Sequence, residues 1–406
     1  MEKNKFREKT LSNGLPVLFS KKDSQVVSIY LTVNTGSNFE NNSNRGISHF
    51  IEHMLFEGTK KRSAYEIARE IEGIGGEISG YTSTERTCFY VNCLKRHFEK
   101  SLEILSDIVS EPIFKPDSIE KERKIILSEV KMVMDEPRTY QWQVLQNKLF
   151  EKHPAKHPII GYEHCIKKIK RDDLVNYHSV YYTPKNIAVS IVGNPPFLLQ
   201  KVKKYFGGMK RKNKPQREII KEPLKTKNVK YSIKRKIEQS YMVLGYKTVP
   251  RLNKHSYSLD VIEAVLSKGL SGRLFTEIRT KLGLAYDVGV HHETKSDYGF
   301  FAYYVSTDKK NLDLCKKIFL RELTKLENLK DTEIREAKNF IEGKFIMQNE
   351  ELDNLADSLG EWSIFGNIDT FFKYPKNIKN VNKQDIINVR NKFLKGSFVD
   401  IKIMQK

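Results

Sequence analysis

Residues 26–33 mix apolar and polar positions in the alternating order of a strand. Farther on, Ile47, Phe50, Ile51, Met54 and Leu55 recur at intervals of three and four, as in a helix packed on one side. Before both, Asn13-Gly14 separates two strand-like runs within residues 11–18 and predicts a tight hairpin. The pattern then predicts a helix over 63–72, strands over 77–82 and 86–94, and a helix over 97–109. A long helix follows over 120–134, with an apolar stripe through Ile125, Ile126, Val130 and Val133. Residues 186–192 form a short apolar run ending at Gly193, which predicts a buried strand.

The second half repeats this order in diverged form. Residues 240–245 read as an opening strand, and 256–266 as a helix standing where 47–55 stands in the first half. The stretch 275–290 echoes 67–81, a helix leading through glycine into a strand. Residues 299–305 echo 87–91, and both lead into an amphipathic helix. Such a repeat predicts two similar α+β domains. The boundaries expected are 1–195 for the first, 196–236 for a connecting segment, and 237–406 for the second.

Composition narrows this picture. A chain of 406 residues with 39% hydrophobic content suits two packed cores better than one. No run of 18 or more apolar residues offers a membrane span. Residues 1–9 lack an apolar core and carry acidic residues, so neither a secretory leader nor a transit peptide is expected there. Cys88, Cys93, Cys165 and Cys315 are scattered, with no zinc spacing and no disulfide ladder, which fits a reducing cytoplasm. The formal net charge of +21 is concentrated. Residues 201–236 hold 15 Lys/Arg against Glu218 and Glu222. Gly207-Gly208, Pro215 and Pro223 interrupt that run, so it reads as a solvated connector. With few aromatics interleaved, nucleic acid is not the expected partner.

The chemistry concentrates in His49-Phe50-Ile51-Glu52-His53. On a helix, His49 and His53 leave one face a turn apart and can share a metal. Glu52 stands beside them, where a carboxylate could take a proton from water. Two histidines are an incomplete site, because catalytic zinc ordinarily has three protein ligands and a water. Glu122 and Glu129 project from nearly one face of the 120–134 helix, seven residues apart. One could be the third ligand while the other orients a ligand histidine. A solvated charged face is the plainer alternative, and spacing alone does not choose.

The His-x-x-Glu-His order, and Glu129 placed 76 residues after His53, resemble the pitrilysin/insulinase family of zinc peptidases. The likeness is closest to half-size members such as mitochondrial processing peptidase subunits, and it spans almost the whole chain. It implies α/β-sandwich domains in a clamshell around a chamber. It assigns one Zn²⁺ per chain to His49, His53 and Glu129, general base chemistry to Glu52, and support of a ligand to Glu122. It matches Arg279 and Tyr286, seven residues apart, to a pair that contacts substrate near the scissile bond. It also implies that the strand carrying Gly80, Tyr81 and Thr82 binds extended peptide. Ser79-Gly80 stands where the family commonly has Asn-Ala, which leaves subsite preference open. A chain with two domains but both signatures is expected to be a homodimer, with Arg279 and Tyr286 completing the other subunit's site. The activity implied is zinc endopeptidase. A catalytically silent partner subunit and a protease dedicated to leader peptides are the alternatives.

Overall fold

The computed structural model describes residues 6–406, so the first five residues of the 1–9 segment read above lie outside the description. The strands are β1 Phe6–Thr10, β2 Pro16–Ser20, β3 Val26–Val33, β4 Glu77–Thr82, β5 Thr87–Leu94, β6 Ile187–Val192, β7 Val229–Arg235, β8 Ser240–Thr248, β9 Ala285–Thr294, β10 Gly299–Thr307 and β11 Val399–Gln405. The helices are α1 Ile47–Phe56, α2 Ala64–Glu72, α3 Phe98–Ser110, α4 Pro116–Asp135, α5 Pro137–Leu149, α6 Glu163–Ile166, α7 Arg171–Tyr181, α8 Leu198–Phe206, α9 His255–Ser267, α10 Leu312–Lys325, α11 Asp331–Gln348, α12 Leu352–Ile364, α13 Asp369–Asn380 and α14 Lys383–Phe393. No described helix is long and apolar enough to cross a membrane.

These elements build two compact α+β units. The first contains the described residues up to Met132, then His157–Glu218 and Met347–Phe372. Its sheet has the order β1-β2-β6-β3-β5-β4, with β2 parallel to β6 and β3 antiparallel to both β6 and β5. The second unit contains Val133–Lys156, Ile219–Ile346 and Lys373–Lys406. Its sheet has the order β7-β11-β8-β10-β9. There β7 is parallel to β11, and β8 is antiparallel to β11 and β10. Strand for strand, this is the first sheet without its β1.

The units are discontinuous, unlike the contiguous spans 1–195 and 237–406, because each sheet takes one covering helix from the other half of the chain. In the first unit, Val27, Ile29, Leu31 and Val33 of β3 join the core beneath α1 and α3. The opposite face carries Ser28 and Thr32, which alternation alone would leave to solvent. Both are buried, because α12 lies across β3 and β6. Gly360 permits that approach: a Cβ there would stand 2.2 Å from Thr32 Oγ1. In the second unit α5 covers β8 and β11 in the same manner. Val144, Leu145 and Leu149 pack with Val243, Val399 and Ile401. Leu145 sits over Gly245, where a Cβ would stand 2.5 Å from its Cδ1.

The basic segment 196–236 is also more structured than a solvated connector. Its start forms α8, which packs on α3 and buries Val202 and Phe206, and its end is β7. Several of its cations have acidic partners: Lys201 and Lys204 with Glu99, and Arg217 with buried Glu85.

Candidate metal centre

The centre begins with α1, whose apolar side (Ile47, Phe50, Ile51, Met54, Leu55) is fully buried. The helix N-terminus has no side-chain cap from its own N-cap residue, Gly46. Instead the buried Glu40 carboxylate accepts the N–H groups of Gly46 (2.8 Å) and Ser48 (2.9 Å). It thereby satisfies two of the amide donors that a helix start leaves open. Burial pushes Glu40 up to about 7 even so, although these amides and Arg45 pull the other way.

One turn in, the imidazoles of His49 and His53 lie edge to face with centroids 4.6 Å apart. Glu129 reaches them from α4. Its Oε2 is 3.7 Å from His49 Nε2 and 3.6 Å from His53 Nε2. These separations are too long for hydrogen bonds. They are close to the roughly 3.3–3.4 Å edge of a tetrahedron with bonds of about 2.0–2.1 Å, so the three atoms fit one zinc-sized ion. Burial, with His53 adding repulsion, pushes His49 down to about 3 and keeps its imidazole neutral, the form that ligates. Glu122, buried seven residues before Glu129, lies with Oε2 3.0 Å from His53 Nδ1. With Nδ1 donating there, His53 turns an Nε2 lone pair toward Glu129. The ambiguity between the two glutamates is thus divided by geometry: Glu129 faces both histidines and Glu122 faces the back of one.

Glu52 points to the edge strand. Its Oε2 accepts the Thr82 hydroxyl at 2.7 Å. Burial raises the Glu52 pKa, against the Thr82 hydrogen bond and the His53 ring, which pull it down. Strand β4 has β5 on one side and lies at the end of its sheet. Tyr81 and Thr82 turn their side chains inward to Asp357 and Glu52. Gly80 lies tight against Phe56 and the Cys88 carbonyl, where a Cβ would stand 3.1 Å from both.

Arg279 and Tyr286 belong to the second unit, where a π-helical turn over Phe275–Lys281 and Gly283 bring them together. The Arg279 guanidinium lies 4.2 Å from the Tyr286 ring centroid and donates to the Tyr286 carbonyl at 2.8 Å. The Tyr286 side chain is exposed.

A second group of metal-capable side chains, Asp260, Glu263 and His292, was not visible from spacing. It lies between α9 and β9, which take the places of α1 and β4 in the second sheet. There Asp260 is already compensated: it accepts from Arg251 at 2.7 Å, His292 Nδ1 at 2.7 Å and Tyr374 at 2.9 Å. Burial alone would raise the Asp260 pKa, but Arg251 and His292 hold it well below the ordinary range. An internal guanidinium fills the role that a cation would fill.

Comparison with known proteins agrees with this picture. A family model described as "Insulinase (Peptidase family M16)" matches residues 17–163. A second, described as "Peptidase M16 inactive domain", matches residues 168–341. A Rickettsia felis protein named "Uncharacterized zinc protease" is 31% identical over 396 residues, covering 96% of this chain and 95% of its own. A Bacillus subtilis protein named "Uncharacterized zinc protease YmxG" is 30% identical over 356 residues, covering 87% of this chain and 86% of its own. Among solved structures, a protease from Helicobacter pylori superposes with a TM-score of 0.92 at 24% identity, over 98% of this chain and 99% of that one. A Pseudomonas fluorescens structure described as a peptidase M16 inactive domain gives 0.89 at 19% identity, over 99% and 98%. At these identities the two structures establish the fold.

Proposed function

The chain belongs to the insulinase (M16) family of zinc proteases, and from that premise we propose that it is a zinc endopeptidase with its active centre on α1 and α4. The observation that carries this reading is the convergence of His49, His53 and Glu129 on one ion-sized gap. In this reading those three residues hold a single zinc per chain. A bound zinc supplies Lewis acidity, which polarises a carbonyl and acidifies a water. Glu52 takes the proton from the attacking water and returns it to the amine leaving group. Thr82 occupies Glu52 Oε2, which leaves Oε1 for that transfer. Glu122 holds the His53 ring in its ligating orientation. The free edge of β4 at Gly80–Thr82 accepts an extended peptide by backbone pairing, which needs no particular side chain at Ser79 or Gly80.

Two copies of the chain associate, and Arg279 and Tyr286 of one steady the substrate backbone in the site of the other. The intact His-x-x-Glu-His set speaks against a catalytically silent subunit. Four free, buried cysteines suit a reducing compartment such as the cytoplasm. The test is Glu52→Gln on a fluorogenic peptide library, with zinc measured in parallel. The variant should keep its zinc and lose roughly 10²–10⁴-fold in cleavage. Wild-type cleavage by a zinc-loaded Glu52→Gln protein would remove the base assignment.

A further inference from the structure

We propose that Thr82 is a positioning residue for Glu52, and that a helix from the far end of the chain, α12, fixes Thr82 in place through Asp357. The inference rests on the reading of Glu52 as the base.

Among the described residues, the hydroxyl of Thr82 is the one side-chain hydrogen-bond partner of the Glu52 carboxylate. Glu52 sits on a helix and Thr82 on the last position of an edge strand, so their relative placement depends on how that strand end is held. Edge strands fray, because one side of the ladder is absent. Here the end is clasped. Tyr81, next to Thr82, donates its phenol hydroxyl to Asp357 Oδ1. Arg86, on the other side of the turn, grips the same carboxylate with two hydrogen bonds: Nη1 to Oδ1 at 2.8 Å and Nη2 to Oδ2 at 3.0 Å. Its guanidinium lies 5.2 Å from the Tyr81 ring centroid, and Glu361, one turn along α12, lies 3.7 Å from Nη2. Arg86 is buried while Asp357 stays partly exposed, so this is a half-buried, bidentate ion pair, whose two parallel hydrogen bonds fix geometry better than a single surface contact. The turn is closed by the Ser83 N–H to the Arg86 carbonyl at 2.7 Å. Tyr81 and Arg86 thus fasten both strands of the hairpin to one carboxylate, with Thr82 between them.

The function follows from the direction of the Thr82 bond. With Oε2 held by an O–H donor, the carboxylate cannot rotate freely, and Oε1 keeps one orientation. Misplacement of a reacting group by about 1 Å can cost on the order of 100-fold in rate.

The experiment measures zinc content, kcat and KM for wild type, Glu52→Gln, Thr82→Val, Thr82→Ser and Tyr81→Phe. Thr82→Val keeps shape and removes the hydroxyl. Its kcat should fall roughly 10- to 100-fold with zinc retained and KM nearly unchanged. Thr82→Ser should return most of that loss, and Tyr81→Phe should lower kcat by a smaller factor. An inactive Glu52→Gln beside a Thr82→Val of wild-type kcat would overturn the positioning role and leave the base standing. Equal loss in Thr82→Ser and Thr82→Val would also overturn it, because the hydroxyl would then not be the agent. An unchanged kcat in Tyr81→Phe would overturn the part assigned to Asp357. An active Glu52→Gln would remove the premise instead.

Discussion

Glu40 shows how one residue can support the centre without touching it. Its carboxylate caps α1, two turns from His53, and burial raises its pKa from 4.5 to about 7. Because the folded pKa is the higher one, the native state binds this proton more tightly than the unfolded chain. The associated stability is therefore full at low pH and is lost as pH rises from about 4.5 to about 7. The loss is at most about 3 kcal/mol. Glu40→Gln should remove this dependence, which urea unfolding of both proteins at several pH values would reveal as a stability difference that shifts in the variant's favour as pH rises from about 4.5 to about 7. Parallel curves would contradict it. At this scale the sequence was legible where local periodicity decides. His49, Glu52 and His53 share a helix flank because the helix has 3.6 residues per turn. Spacing alone made Glu122 and Glu129 legible as a pair but not in their roles; the family resemblance proposed the division, and the fold turns Glu129 toward both histidines. Glu40, Asp357 and Arg251 were not legible at all. Each acts on a partner brought near by tertiary structure, and nothing in its local spacing marks it.

At the scale of elements, the two halves share one sheet plan but treat the polar side chains on their first long helices, α1 and α9, differently. Between α1 and α4 the first unit gathers histidines and carboxylates that suit a metal. Between α9 and β9 the second unit gathers Asp260, Glu263 and His292, but Arg251 supplies the positive charge. Breaking a buried pair from one side leaves an uncompensated charge. Arg251→Met should therefore destabilise the fold by about 3–5 kcal/mol in denaturant titration while zinc content stays constant. A gain of zinc in that variant would show that the arginine was excluding a metal, and an unchanged midpoint would show that the pair carries little. Most strands of the repeat were readable because their own pattern encodes them, but β7 fell within the expected connector and β11 was not read at all. The helices that close the outer faces, α5 and α12, were not. Alternation in β3 implies one solvated face, but Ser28 and Thr32 are polar because a helix packs closely there, through Gly360. A pattern of small polar residues looks the same for water as for a closely packed helix.

At the scale of the whole molecule, the chain is a repeat in which one copy carries the candidate metal centre and the other carries Arg279 and Tyr286. If a second copy supplies that pair, two inactive variants should rescue each other. Glu52→Gln mixed with Arg279→Ala after dissociation and reassembly should recover peptide cleavage that neither shows alone, and no recovery would speak for sites confined to one chain. The central claim, however, is the ion itself, and anomalous scattering from crystals at the zinc edge tests it most directly. One peak is expected per chain, at roughly 2.0–2.2 Å from His49 Nε2, His53 Nε2 and a Glu129 carboxylate oxygen, with none among Asp260, Glu263 and His292. A zinc-supplemented crystal with no peak between the two histidines, or with its peak beside Asp260, would contradict the account.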